Sequence, residues 1–248
     1  AHLYGAQQLA TELTHTSDTT RRIALVQGSH RAVWVHDDQR DQRVMATYER
    51  LTSEAALAAK ATGQRLDLVV WPESMHRVGI FTYADDLKHD SEGGMSLAEA
   101  EALGPAVLAD LARSSDSPLL VGTDRVVVGG ADDYQVYNSA AGVDRQGNLL
   151  GTYDKTHLVV FGEFVPFGSW MPWIYNLFMI GELTPGEGPE VFEIEGTRYM
   201  PTICYETCVP HVVRAQVSEL AAAGTRPEVL VNITNDSWFN DSSELEMH

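Results

Sequence analysis

The sequence predicts an α/β sandwich, and three observations carry the prediction. Continuous apolar runs that end sharply, residues 22–27 before Gly28 and 66–71 before Pro72, have the signature of buried parallel strands. Between such runs lie segments rich in Ala, Leu, Glu and Arg, or with apolar residues at helical spacing, which predict helices on the faces of the sheet. In the middle of the chain a polar turn at 144–148 joins two β-forming stretches, so part of the sheet is expected to be antiparallel or mixed. With 248 residues and 44% hydrophobic content, the chain can enclose one large core, and one domain is expected over residues 21–248.

The elements follow in order. Residues 1–20 are polar and Thr-rich and read as a lead-in. A first strand is expected at 22–27, a helix at 44–60 and a second strand at 66–71, stopped by Pro72. Residues 96–114 place Leu97, Ala100, Leu103, Val107, Leu108 and Leu111 near helical spacing, with Pro105 as an interruption or a new first turn. Strand patterning then covers 119–128 and 136–143 and resumes at 149–153 after the turn. Residues 161–188 hold Phe164, Phe167, Trp170, Trp173, Tyr175 and Phe178 among Pro and Gly, and read as a long functional loop. Strands return at 191–194 and 199–204, a helix at 210–223, and a last buried strand at 228–233.

Composition excludes several classes of partner. The formal charge is 17 − 35 = −18, so neither nucleic acid nor an anionic membrane surface is recruited by simple Coulomb attraction. Any lipid contact must then be mainly apolar. The two cysteines, Cys204 and Cys208, are too few for a disulfide scaffold and lack the accompanying ligands of a zinc site, so no metal or other cofactor is expected. No uninterrupted apolar run reaches about 18 residues, so no transmembrane helix is expected in the chain as given. The start, Ala1-His2-Leu3-Tyr4-Gly5, has no initiating Met and no apolar leader segment, and reads as the start of a processed or excised piece.

Three reactive groups stand at strand ends. Cys204 follows the apolar run Pro201-Thr202-Ile203, Glu73 follows Val69-Val70-Trp71-Pro72, and Lys155 closes Gly151-Thr152-Tyr153-Asp154. Each alone has an ordinary explanation: a core thiol, a turn carboxylate, and an ammonium solvated beside Asp154. Together they form a chemical set. A free thiol has a pKa of roughly 8.5, so a nucleophilic cysteine needs a base or a stabilising cation. Glu73 fits the base, while Lys155 with the backbone N–H of Tyr205 fits the stabiliser of a thiolate and an oxyanion. Glu163 fits a residue that orients Lys155 or donates a proton, and His157 reads as a structural hydrogen-bonding residue.

Four motifs occur in order: Trp71-Pro72-Glu73; Tyr153-Asp154-Lys155-Thr156-His157 running into Phe161-Gly162-Glu163-Phe164-Val165-Pro166; Ile203-Cys204-Tyr205-Glu206; and Asn232-Ile233-Thr234-Asn235-Asp236-Ser237-Trp238-Phe239. They resemble the nitrilase superfamily, and within it the catalytic domain of the bacterial apolipoprotein N-acyltransferase branch. The interval from Lys155 to Cys204 and the Asn-Asp-Ser-Trp-Phe segment carry the likeness to that branch, and Val160, where it usually has Pro, is a minor departure.

The resemblance implies an αββα sandwich and a nitrilase-like catalytic domain over 21–248. It implies a ping-pong reaction in which Cys204 takes an acyl chain from a phospholipid as a thioester. The N-terminal amine of a diacylglyceryl apolipoprotein then accepts it. Glu73 would be the general base, Lys155 the oxyanion and thiolate stabiliser, and Glu163, Glu206 and Tyr205 supporting residues, with Trp238 assigned to packing. The implied location is the bacterial inner membrane, with this domain on its periplasmic side. In that branch membrane helices flank the domain and the fold continues past the last motif, so a C-terminally incomplete sandwich is expected. The tract 164–180, with Trp170, Trp173, Leu177 and Phe178, is expected to dip into the acyl boundary of a bilayer. Two other readings stay open: a soluble carbon–nitrogen hydrolase acting on a small amide, and an inactive nitrilase-like binding module.

Overall fold

The computed structural model describes residues 20–30, 37–85, 87, 91–92, 95–130, 133–160, 162–164 and 183–235. The expected lead-in, apart from Thr20, lies outside them, as do Trp238 and, apart from Phe164, the tract 164–180.

The first sheet is assembled around the long strand β6 (Leu119–Gly130). On one side β6 pairs antiparallel with β7 (Asp133–Val143), which pairs antiparallel with β8 (Leu149–Asp154). On the other side it pairs in parallel with β2 (Leu68–Val70) at its start and with β3 (His76–Tyr83) further along. Strand β1 (Ile23–Leu25) pairs in parallel with β2. A short antiparallel ladder of β4 (Ser91–Glu92) and β5 (Met95–Ser96) stands apart. The second sheet has β10 (Thr197–Ile203) between β9 (Phe192–Ile194), antiparallel, and β11 (Val229–Ile233), parallel. The helices are α1 (Asp38–Ala61), α2 (Leu97–Ser115) and α3 (Pro210–Ala222), with a 3-10 turn at Cys204–Cys208.

Side-chain alternation sorts these strands into layers. Val69 and Trp71 face α1 and α2 together with Leu119 and Val121, where they meet Val44, Tyr48, Leu108 and Leu111. Leu68, Val70 and Leu120 face the other way, into a second core with Tyr153, Phe192, Tyr199, Ile203 and Val231. A strand buried on both faces has no polar position, which is why its sequence is an unbroken apolar run. The crossover helix α3, between the parallel strands β10 and β11, completes an α–β–β–α order. Phe192 fills the seam between the sheets over Gly142, where a Cβ would come within 2.8 Å of its ring.

Several expectations are corrected. The first strand is shorter than residues 22–27 and lies at the edge of its sheet, with Leu25 77% exposed, because among the described residues β1 has a partner on one side only. β11 is buried on one face alone, leaving Leu230 exposed. The first helix begins six residues before Val44, where Asp37 caps it by accepting hydrogen bonds from the N–H groups of Gln39 and Arg40 at 3.0 and 3.2 Å. Pro105 does not interrupt α2, which runs through it from a Ser96–Glu99 capping box. Strand β3 has no counterpart in the pattern reading, because His76 and Arg77 at its start and Gly79 within it mask the β-formers Val78, Ile80, Phe81 and Tyr83.

Candidate active site

The strand line beside β6 is broken, and the break carries Glu73. β2 pairs with Leu119–Leu120 and β3 rejoins β6 from Thr123 onward, so residues 71–75 lie opposite Gly122. A Cβ on Gly122 would lie 2.3 Å from the Pro72 carbonyl oxygen and 2.5 Å from the Glu73 Cα, so only glycine admits this backbone. Trp71 anchors the near side of the break: its indole N–H donates to Thr52 of α1 at 2.9 Å, and its ring lies 5.2 Å from that of Tyr48. Ser74 leaves the break with φ +54°, in the left-handed region.

Lys155 follows β8, and its N–H donates to the Asn138 carbonyl of β7 at 2.8 Å. Its ammonium is 1% exposed. It does not rest on Asp154, whose carboxylate is taken by Arg125 at 2.5 Å and by the Ser139 hydroxyl at 2.6 Å. Instead Lys155 Nζ lies 2.8 Å from Glu163 Oε1 and 3.8 Å from Glu73 Oε1.

The Asn138 side chain joins the two acids, donating from Nδ2 to Glu73 Oε1 at 2.7 Å and to Glu163 Oε1 at 3.0 Å. The other Glu73 oxygen accepts from the Asn235 N–H at 3.0 Å, and the other Glu163 oxygen from the Val159 N–H at 2.8 Å.

Cys204 comes from the opposite sheet. It follows Ile203 of β10 and opens the 3-10 turn with φ +53°, a conformation that costs a residue bearing a Cβ and that turns the thiol sharply off the strand. The thiol is buried, and both Cys204 and the exposed Cys208 are free. Glu206, two residues on, is fully buried and is no surface charge. Its carboxylate accepts from the N–H groups of Thr156 and His157, the Thr156 and Tyr153 hydroxyls, and the N–H of Ile203, all at 2.8–3.0 Å. Gln216 of α3 supports this cluster by donating to the Tyr153 and Thr156 hydroxyls at 3.2 and 2.9 Å. Glu206 thereby ties the chain just after Lys155 to the residue just before Cys204. Tyr205 is 45% exposed beside the buried thiol, and its backbone N–H stabilises the thiolate form.

Burial sets the electrostatics. It pushes the Glu73 carboxyl up, against the attraction of Lys155 and the Asn138 hydrogen bond. Burial also disfavours the Lys155 ammonium, but Glu73 and Glu163 together outweigh it and hold that group above its ordinary value. The Cys204 thiol is pushed up to about 11 by burial and then by Glu73, with Lys155 pulling the other way. The arrangement therefore holds a neutral thiol beside a permanent ammonium and a carboxylate made readier to take a proton.

All six residues singled out from the sequence lie in or against this cluster. Asn138 was not among them. Its signal is a polar residue inside the apolar stretch 136–143, which the β7–β8 hairpin register carries opposite Lys155.

The sequence profile of the carbon-nitrogen hydrolase family matches residues 22–247. An apolipoprotein N-acyltransferase of Rhodopirellula baltica is 30% identical over 99% of this chain and 47% of its own length. One of Geobacter metallireducens is 31% identical over 92% of this chain and 38% of its own length. The chain thus spans about half or less of the curated relatives it matches. Among solved structures, an amidase of Nesterenkonia sp. AN1 superposes with a TM-score of 0.51 at 21% identity, covering 87% of this chain and 67% of that one.

Proposed function

The chain belongs to the carbon-nitrogen hydrolase family, and from that premise we propose that it is the acyl-transfer domain of an apolipoprotein N-acyltransferase, working through a thioester on Cys204. The observation that carries the reading is the buried meeting of Glu73, Lys155 and Cys204 across the two sheets, with Lys155 Nζ 3.8 Å from Glu73 Oε1 and both groups acting on the thiol. The similarity to two N-acyltransferases supports this branch of the family.

In the proposed first step Glu73 takes the Cys204 proton as sulfur attacks the ester carbonyl of a phospholipid. Lys155, still protonated, and the N–H of Tyr205 hold the oxyanion. Collapse expels the lysophospholipid alkoxide, which receives the proton from Glu73. In the second step the N-terminal amine of a diacylglyceryl apolipoprotein attacks the thioester and the thiol is restored. Glu163 holds Lys155 in place throughout. No described helix is long and apolar enough to cross a membrane, so attachment at the periplasmic face of the inner membrane is assigned to parts of the protein other than the described helices.

Incubation with phospholipid followed by intact mass measurement tests the reading. The expected result is one acyl adduct on the wild type and none on Cys204→Ala. An adduct that persists in the variant removes Cys204 from the role, and ammonia release from simple amides without any acyl transfer assigns the chain to a hydrolase instead.

A further inference from the structure

We propose that the side-chain carbonyl of Asn138 is the docking point for the nitrogen of the second substrate, selecting an amine over water for resolution of the Cys204 thioester. This rests on the acyl-transfer reading above and deepens it.

The orientation of the Asn138 amide is fixed by its neighbours. Glu73 and Glu163 both approach one end of it, at 2.7 and 3.0 Å, and two carboxylate oxygens demand the NH2 group there, since a carbonyl oxygen in that place would face two acceptors. The other end is then Oδ1. That oxygen is fully buried and accepts from no donor among the described residues. Buried acceptors are almost always satisfied, so an orphan within a reactive cluster marks the place of a donor that arrives with a ligand.

Charge identifies the donor. Among the described residues, Glu73 and Glu163 share the ammonium of Lys155, a formal surplus of one negative charge in a buried site. An N-terminal amine has a pKa of roughly 7.7–8.0 and arrives largely as a cation at neutral pH. The surplus attracts it, whereas water gains little.

The acceptor ammonium gives one proton to Glu73, and the free amine, holding an N–H to Asn138 Oδ1, attacks the thioester carbon. The C–N bond forms and the C–S bond breaks. Sulfur leaves with its electron pair as a thiolate beside Lys155. It then takes the second proton shed by nitrogen, restoring the thiol, while Glu73 releases its proton to solvent.

The experiment loads Cys204 from a p-nitrophenyl ester and reads how the acyl-enzyme partitions between water and a primary amine, an S-alkylcysteine amide. Asn138→Ala is expected to lower the ratio of amide to free acid about tenfold, the effect of one lost hydrogen bond. A merely structural role acting through Glu73 and Glu163 slows both branches together, and an unchanged ratio overturns the proposal. Should Asn138→Ala not fold, Asn138→Ser is read in the same way, since its shorter side chain keeps a hydroxyl but puts no acceptor at the Oδ1 position: a ratio lowered as for alanine is expected, and an unchanged ratio overturns the proposal. A wild type that is never acylated on Cys204 defeats the acyl-transfer reading itself, and that result is read before any amine is added.

Discussion

The Cys204 thiol, held up to about 11 by burial and by Glu73, is protonated at neutral pH, so in the proposed mechanism its proton leaves during the attack itself. Glu73 therefore has two opposed effects on one thiol. As a charge it disfavours the thiolate; as the proposed base it accepts the proton. Glu73→Gln in a Cys208→Ser background separates them. Acylation of Cys204 by a p-nitrophenyl ester at pH 7 is expected to fall by about 10²–10⁴, the usual contribution of a general base. Alkylation of the same thiol by iodoacetamide, followed against pH, is expected to rise with a midpoint below the wild-type value, because a repulsive charge has gone while Lys155 remains. A midpoint that stays or climbs would show that burial alone governs the thiol. The sign for stability follows from the same shift: the folded state favours the protonated thiol, so this contribution is present below the ordinary value of 9.0 and is lost as pH rises from 9.0 towards 11.

At the scale of elements, the ends of β8 and β10, in different sheets, are tied together by the Glu206 carboxylate and its five donor groups. Glu206→Gln puts an NH2 group where N–H and O–H groups need an acceptor, and is expected to cost about 2–4 kcal/mol in urea denaturation. Tyr153→Phe removes one of those donors and is expected to cost about 1 kcal/mol. Equal small losses for both would mean that the carboxylate is not the clamp. The same elements show what the sequence makes legible. The strand ends bearing Glu73, Lys155 and Cys204 were visible because apolar runs stop abruptly at reactive residues. Strand β3 was not, since its start is polar, and the edge position of β1 was not, since an apolar run is silent about how many neighbours it has. Asn138 escaped because its partners are 65 and 25 residues away in sequence, and only the hairpin register brings it to Lys155.

At the scale of the molecule, the two sheets supply different parts of the site: Glu73 and Lys155 come from the first and Cys204 from the second. Beside the polar Glu206 bridge their contact has an apolar core, with Phe192 over Gly142 and Tyr199, Ile203 and Val231 against Leu68, Val70 and Leu120. Phe192→Ala is expected to cost about 3–5 kcal/mol, a large part of a typical domain's stability. Thermal or urea unfolding measures it, and a wild-type midpoint would show that the sheets are held together elsewhere. The strand break at residues 71–75, accommodated by Gly122, belongs wholly to the first sheet, while the left-handed turn at Cys204 belongs wholly to the second. The chemistry proposed for Cys204 therefore needs both sheets at once: either sheet by itself holds an ordinary cysteine or a carboxylate–ammonium pair. If the proposal holds, the assembled sandwich itself is the switch, since the thiol meets its base and its cation only across the seam.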